Sequence, residues 1–227
     1  MLSNSFINNF PWLKCLSPDE LDRVHADLTI KQVQKHEYVC RKGETPELWY
    51  GVMSGLIKAN NVSPTGKSIT YMAIPSGGWF GESPLVRGDT PRSYDAIAMR
   101  DSVLACLPKE TFQWLLSKNI KFNHYIINQI NERMFHFLSM IESERFLDTN
   151  SRVAQILAGM FNEQLYPGQS TALKISQEEI GFLTGLSRQR SNMALKKLEE
   201  DGHIKINYGE IEIINLDALR KMGNEPQ

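Results

Sequence analysis

Ile175-Ser176-Gln177-Glu178-Glu179-Ile180-Gly181-Phe182-Leu183-Thr184-Gly185-Leu186-Ser187-Arg188-Gln189-Arg190 reads as helix, tight turn, helix. Ser176 suits an N-cap, and Glu179 three residues later completes a capping box. Ile180 and Leu183 give the first helix its apolar face, and Gly185 suits a sharp turn between steeply crossing helices. Ser187 then caps a second helix running to about Glu200, with Met193, Leu195 and Leu198 as inward candidates. Its outward face carries Arg188, Gln189, Asn192 and, one turn on, Lys196. Those side chains reach guanine and adenine edges or phosphates in a major groove. Ser176, Gln177 and Ser187, at the two helix starts, join them as candidate contacts to double-stranded DNA.

The next segment strengthens that reading. Gly202 ends the second helix, and His203 to Ile214 alternates like a hairpin turning at Tyr208-Gly209. A helix-turn-helix followed by a two-stranded wing is a coherent DNA-reading unit. Charge does not advertise it: the chain has 25 Lys/Arg against 26 Asp/Glu, a net charge of −1. From Asp148 onward there are nine Lys/Arg and eleven Asp/Glu. The basic groups are instead concentrated at Arg188, Arg190, Lys196 and Lys197, beside the reading helix. Such a patch neutralises phosphates locally, which predicts modest non-specific affinity and reliance on dimerisation.

A chain of 227 residues holds two ordinary domains. Its N-terminus, polar and broken by Pro11, does not read as a signal peptide, and no apolar run approaches bilayer length. Cys15, Cys40 and Cys106 are scattered without CxxC spacing, which argues against a disulfide framework, a zinc site or a cysteine-held cluster. Reduced thiols in a cytoplasmic protein, with no metal and no membrane partner, are the expectation.

Residues 1 to about 25 read as a helical lead-in. From about Leu28 to Leu107, short β-rich runs are punctuated by Gly43, Gly51, Gly55, Gly66, Gly77-Gly78, Gly81 and Gly88, which predicts a barrel or jelly roll. A short helix over Lys109–Leu116 precedes a long one from about Ile120 to Phe146. Within it Ile127, Ile130, Met134, Phe137 and Ile141 recur at spacings of three, four, three and four, a coiled-coil seam suited to a two-fold dimer. A second stripe of Phe122, Ile126, Phe135 and Leu138 is assigned to packing on the protomer's own β-domain. Phe146-Leu147-Asp148-Thr149 reads as a hinge, followed by a helix from Arg152 to about Gln164 that Pro167-Gly168 closes. The fold class is therefore α+β: a β-roll with its lead-in (1–118), a dimerisation helix with hinge (119–147) and a winged helix-turn-helix (148–227).

This arrangement resembles the Crp–Fnr family of bacterial transcription regulators over nearly the whole chain. Gly81-Glu82, followed ten residues later by Arg92-Ser93, is similar to the family's phosphate-binding cassette. Phe146-Leu147-Asp148 with Arg152-Val153-Ala154-Gln155 is similar to its hinge and first DNA-domain helix. Glu178-Glu179-Ile180-Gly181 with Gly185 and Ser187-Arg188 is similar to its reading unit. The resemblance implies a cyclic nucleotide effector, with Arg92 and Ser93 on the cyclic phosphate, Gly81 permitting close backbone approach and Glu82 accepting from the ribose 2′-hydroxyl. Such donors form an anion cradle on their own terms, although Glu82 and Arg92 could equally pair and staple the roll. The two purine-contacting positions fall at Phe137 and Leu138, where cAMP-binding members carry threonine and serine. Apolar side chains there leave the adenine amino group unpartnered, at about 1–3 kcal/mol. An unidentified small molecule, or no ligand, therefore stays open beside cAMP.

The resemblance also implies a homodimer on a palindromic operator and a polymerase contact at the loop Leu165 to Ala172. Gln189 and Met193 stand where the family's further base readers stand, usually a glutamate and an arginine, so the half-site should differ. The rival from another class is a cupin-like metal enzyme. It needs clustered histidines, and the predicted strand region holds only His36.

Overall fold

The protein is described from a computed structural model covering residues 10–66, 68–88 and 90–224. The first nine residues of the predicted lead-in lie outside the described residues. A 3-10 turn at Pro11–Cys15 leads to helix α1 (Pro18–Asp27), which opens on a capping box between Ser17 and Glu20.

The β-rich region forms two facing antiparallel sheets. One contains β1 (Thr29–Val33), β8 (Ser102–Pro108), β3 (Leu48–Ser54) and β6 (Trp79–Phe80), in that order. The other runs β2 (Tyr38–Cys40), β7 (Asp95–Ala98), β4 (Leu56–Val62) and β5 (Ser68–Pro75). Between them lie Val52, Ile57, Ile74, Phe80 and Leu104, all buried. The outer face of the first sheet carries a second core rich in aromatic rings. Trp49 lies 4.2 Å from Trp79 and 5.1 Å from Trp12 and Phe112 between ring centroids. A Cβ at position 51 would come within 2.4 Å of the Trp79 ring, so Gly51 makes this packing feasible.

Helix α2 (Glu82–Val86) lies within the cassette, and α3 (Lys109–Lys118) extends slightly beyond the predicted short helix. Asn119 caps the long helix α4 (Ile120–Phe146) by accepting from the Phe122 N–H at 2.9 Å. One face of α4 lies on its own β-roll through the buried Phe122, Ile126, Gln129 and Arg133. Phe137 continues this face, half-buried against the inter-sheet core. The expected seam is therefore amended: Leu138 replaces Phe137 in an exposed row with Ile127, Ile130, Met134 and Ile141. Phe135 and Leu138, expected on the β-roll, are exposed at 61% and 50%. The row still advances by three and four, because the helix turn, not side-chain size, decides which residues share a face.

Asp148 caps α5 (Thr149–Gly159) by accepting from Ser151 N–H at 2.7 Å. This helix ends several residues earlier than the sequence pattern suggests. The side chain of Asn162 accepts the N–H groups of Gln164 and Leu165 at 2.9 and 3.0 Å, turning the chain. There follow β9 (Ala172–Leu173), α6 (Gln177–Thr184), α7 (Arg188–Glu200), the hairpin β10 (Ile204–Asn207) and β11 (Glu210–Ile213), and α8 (Leu216–Asn224). Strand β9 adds to the wing beside β11. Leu157, Ile180, Leu195, Leu198 and Ile211 build this core, which continues into Leu56, Ala73 and Met99 of the β-roll.

Candidate functional site

The DNA-reading unit is built locally. Ser176 accepts from Glu179 N–H at 3.2 Å while the Glu179 carboxylate takes Ser176 N–H at 2.7 Å, so the capping box sets the start of α6. Gly185 adopts φ +65°, the left-handed conformation that ends α6 at low cost. Ser187 accepts from Arg190 N–H at 3.4 Å and starts α7. The buried Thr184 and Ser191 hydroxyls share a hydrogen bond at 3.4 Å, binding the two helices together.

This frame leaves Arg188, Gln189 and Lys196 exposed along one face of α7. Met193, an inward candidate by pattern, is 64% exposed and joins that face. Asn192 departs from expectation: it is half-buried, and its Oδ1 is covered without a protein partner. Ser176 and Gln177 lie half-buried at the start of α6, and Ser187 is exposed. Arg190 donates to Thr149 Oγ1 at 2.9 Å, linking α7 to α5 rather than extending outward. Glu199, in the last turn of the reading helix, accepts from Ile206 N–H at 2.6 Å and fixes the wing to α7.

The cassette is assembled from distant segments. Gly81, at φ +89°, ends β6, and a Cβ there would meet Arg92 Nη1 at 2.7 Å. Arg92 is buried, donates to the Leu48 carbonyl at 2.7 Å and lies over the Tyr50 ring. Glu82 is also buried, but its ionic partner is Arg133 of α4, not Arg92. Arg133 donates as well to the Trp79 carbonyl. One oxygen of the Glu82 carboxylate, Oε2, is buried without a hydrogen-bond partner, and so is Arg133 Nε. Ser93 lies exposed, with its carbonyl accepting from Asn61 Nδ2 at 3.1 Å. The structure thus brings Gly81, Glu82 and Arg92 together and keeps Leu138 on the solvent face of α4.

Arg133 was not singled out by the sequence pattern. Its signal was available: a single arginine continuing the buried α4 face of Phe122, Ile126 and Gln129. Burial lowers its pKa to about 10, which leaves it charged at neutral pH. Such a buried cation persists because Glu82 and a carbonyl face it.

Comparison with known proteins agrees with both halves. The family model for a cyclic nucleotide-binding domain matches residues 30–119, and that for a Crp-like helix-turn-helix domain matches 151–222. Together they cover more than half the chain. The cyclic AMP receptor protein of Thermus thermophilus is 23% identical over 212 residues, 93% of this chain and 96% of its own. The global nitrogen regulator of Synechococcus elongatus is 26% identical over 204 residues, 88% of this chain and 92% of its own. The fold is shared with FixK2 from Bradyrhizobium japonicum, at a TM-score of 0.73 and 18% identity over 88% of this chain and 99% of that one. The chain belongs to the Crp–Fnr family of DNA-binding transcription regulators.

Proposed function

We propose that the chain is a homodimeric, cytoplasmic regulator whose grip on a palindromic operator is set by a small anionic ligand at the cassette. Residues 1–118 sense, 119–147 dimerise and hinge, and 148–227 read DNA. The observation that carries the ligand reading is Glu82 Oε2, a buried carboxylate oxygen with no donor, ten residues along the chain from the buried Arg92. An unpaired buried acceptor costs free energy that a ligand hydroxyl would recover. The Arg92 guanidinium and the backbone at Gly81 supply donors for an anion.

A cyclic nucleotide satisfies both requirements, with its 2′-hydroxyl on Glu82 and its phosphate on Arg92 and Ser93. The base is not read by hydrogen bonding, because the half-buried Phe137 offers only a ring face. The exposed row from Ile127 to Ile141 is the surface for the second copy, with isolated apolar groups on a solvent-facing helix gaining most from mutual burial. RNA polymerase would meet the exposed end of the loop, Gly168 and Ser170-Thr171, since Leu165 and Tyr166 are buried.

Titration calorimetry with cAMP, its deaminated inosine analogue and its 2′-deoxy analogue tests this reading. The first two should bind within about twofold of each other. Loss of the 2′-hydroxyl should weaken binding about tenfold or more, the value of a hydrogen bond to a charged group. A second reading is ligand-independent regulation, favoured by Arg92 and Arg133 already meeting protein acceptors. Absence of binding by all three nucleotides would overturn the cyclic-nucleotide reading.

A further inference from the structure

We infer that Tyr166 is a positioning residue that couples the cassette to the DNA-reading half of the same protomer. By sequence Leu165 and Tyr166 follow α5 and belong with the DNA-binding half. In space both are buried in the inter-sheet core of the β-roll, in one cluster with Tyr50, Ile74 and Phe80. The β5–β6 turn is shaped to receive them. A Cβ at Gly78 would lie 2.9 Å from the Tyr166 ring, and one at Gly77 would lie 2.6 Å from the Pro167 carbonyl oxygen. Gln169 donates to the Ser76 carbonyl, and Gln129 of α4 donates to the Gln164 carbonyl at 2.6 Å. The loop is thus clasped by the turn leading into the cassette and by the dimerisation helix.

Arg133 completes the path. It holds Glu82 on one side and the Trp79 carbonyl on another, and its charge acts on the Tyr166 phenol. Burial raises that phenol to about 12, and the guanidinium opposes the rise. The route from cassette to DNA-binding half therefore runs from Glu82 through Arg133 to the Trp79 carbonyl, and from the adjoining Gly78 to the Tyr166 ring. A further contact between the halves differs in kind: Arg100 pairs with Glu179 of α6 at 2.6 Å. Any change at Glu82 that moves Arg133 moves the Trp79 carbonyl it holds, and with it the Gly77-Gly78 turn against which Tyr166 packs. In a close-packed core such a displacement repacks neighbours rather than fading.

The test is a double-mutant cycle on operator affinity in the full chain, without any effector, so it is separate from the cyclic-nucleotide reading. The probe is a DNA duplex selected by the protein from a randomised palindromic pool. Glu82→Gln should change operator affinity at least about fivefold in the native background, the lower end of ordinary allosteric coupling. In a Tyr166→Leu background, which keeps the apolar filling, the same change should fall below about twofold. A merely structural Tyr166 would shift both backgrounds alike and leave the ratio unmoved. Gly78→Ala, whose added methyl crowds Ile74 and the Tyr166 ring, replaces Tyr166→Leu if that variant does not fold. An equal effect of Glu82→Gln in both backgrounds, or none in either, would overturn the assignment.

Discussion

The reading helix and the cassette are opposite kinds of site. On α7 the candidate readers Arg188, Gln189, Met193 and Lys196 are exposed and come from one run of nine residues. In the cassette Gly81, Glu82, Arg92 and Arg133 are buried and come from three separate stretches. The first face gains its partners only when DNA arrives. The second already satisfies most of its charges internally and retains one unpaired carboxylate oxygen. Substitutions should therefore divide: in the cassette they strike stability along with any coupling to DNA, and on α7 they strike affinity alone.

The sharpest break of that contrast is Arg133→Met. Removing one partner of a buried ion pair leaves Glu82 uncompensated, so the variant should lose about 3–5 kcal/mol in chemical denaturation. Unchanged stability would mean that Glu82 is not buried as a charge. Arg188→Ala should reduce operator affinity by about 1–3 kcal/mol and leave the melting temperature in place. A fall in melting temperature of several degrees would show that this side chain serves the fold.

A smaller effect sharpens the comparison through pH. His136, on the same helix as Arg133, is held below its usual 6.5 by burial first and by Arg133 second. The unfolded chain then takes up the proton before the folded one does. The stability present above pH 6.5 is accordingly lost as pH falls through the lowered folded value. Denaturation midpoints between pH 8 and 5 should show this decline, and His136→Gln should flatten it. An identical decline in both proteins would assign it to other groups.

The contrast also explains what was legible in the sequence. The capping box at Ser176 and Glu179, the Gly185 turn and the alternation of the wing are local patterns, and each appears where the residues specify it. The long helix was equally legible, because apolar spacing reports on one helix at a time. Assigning its faces was harder. Phe137 and Leu138 are adjacent and both apolar, and only the neighbouring β-roll decides that Phe137 turns inward. Asn192 shows the same limit: helical spacing gives its direction but not what covers its oxygen. The link from Glu82 to Arg133 spans about fifty residues and has no periodic signature. Tyr166 likewise lay in a loop by composition, and its burial follows from a glycine turn more than eighty residues earlier.

Affinity selection from a randomised DNA pool asks whether α7 reads specific DNA as one half of a symmetric pair. Palindromes whose half-sites are centred about 10 base pairs apart should be enriched. Arg188→Ala should lose the base preference at one position in each half. Enrichment of a single unpaired site, or the same motif from Arg188→Ala, would contradict it.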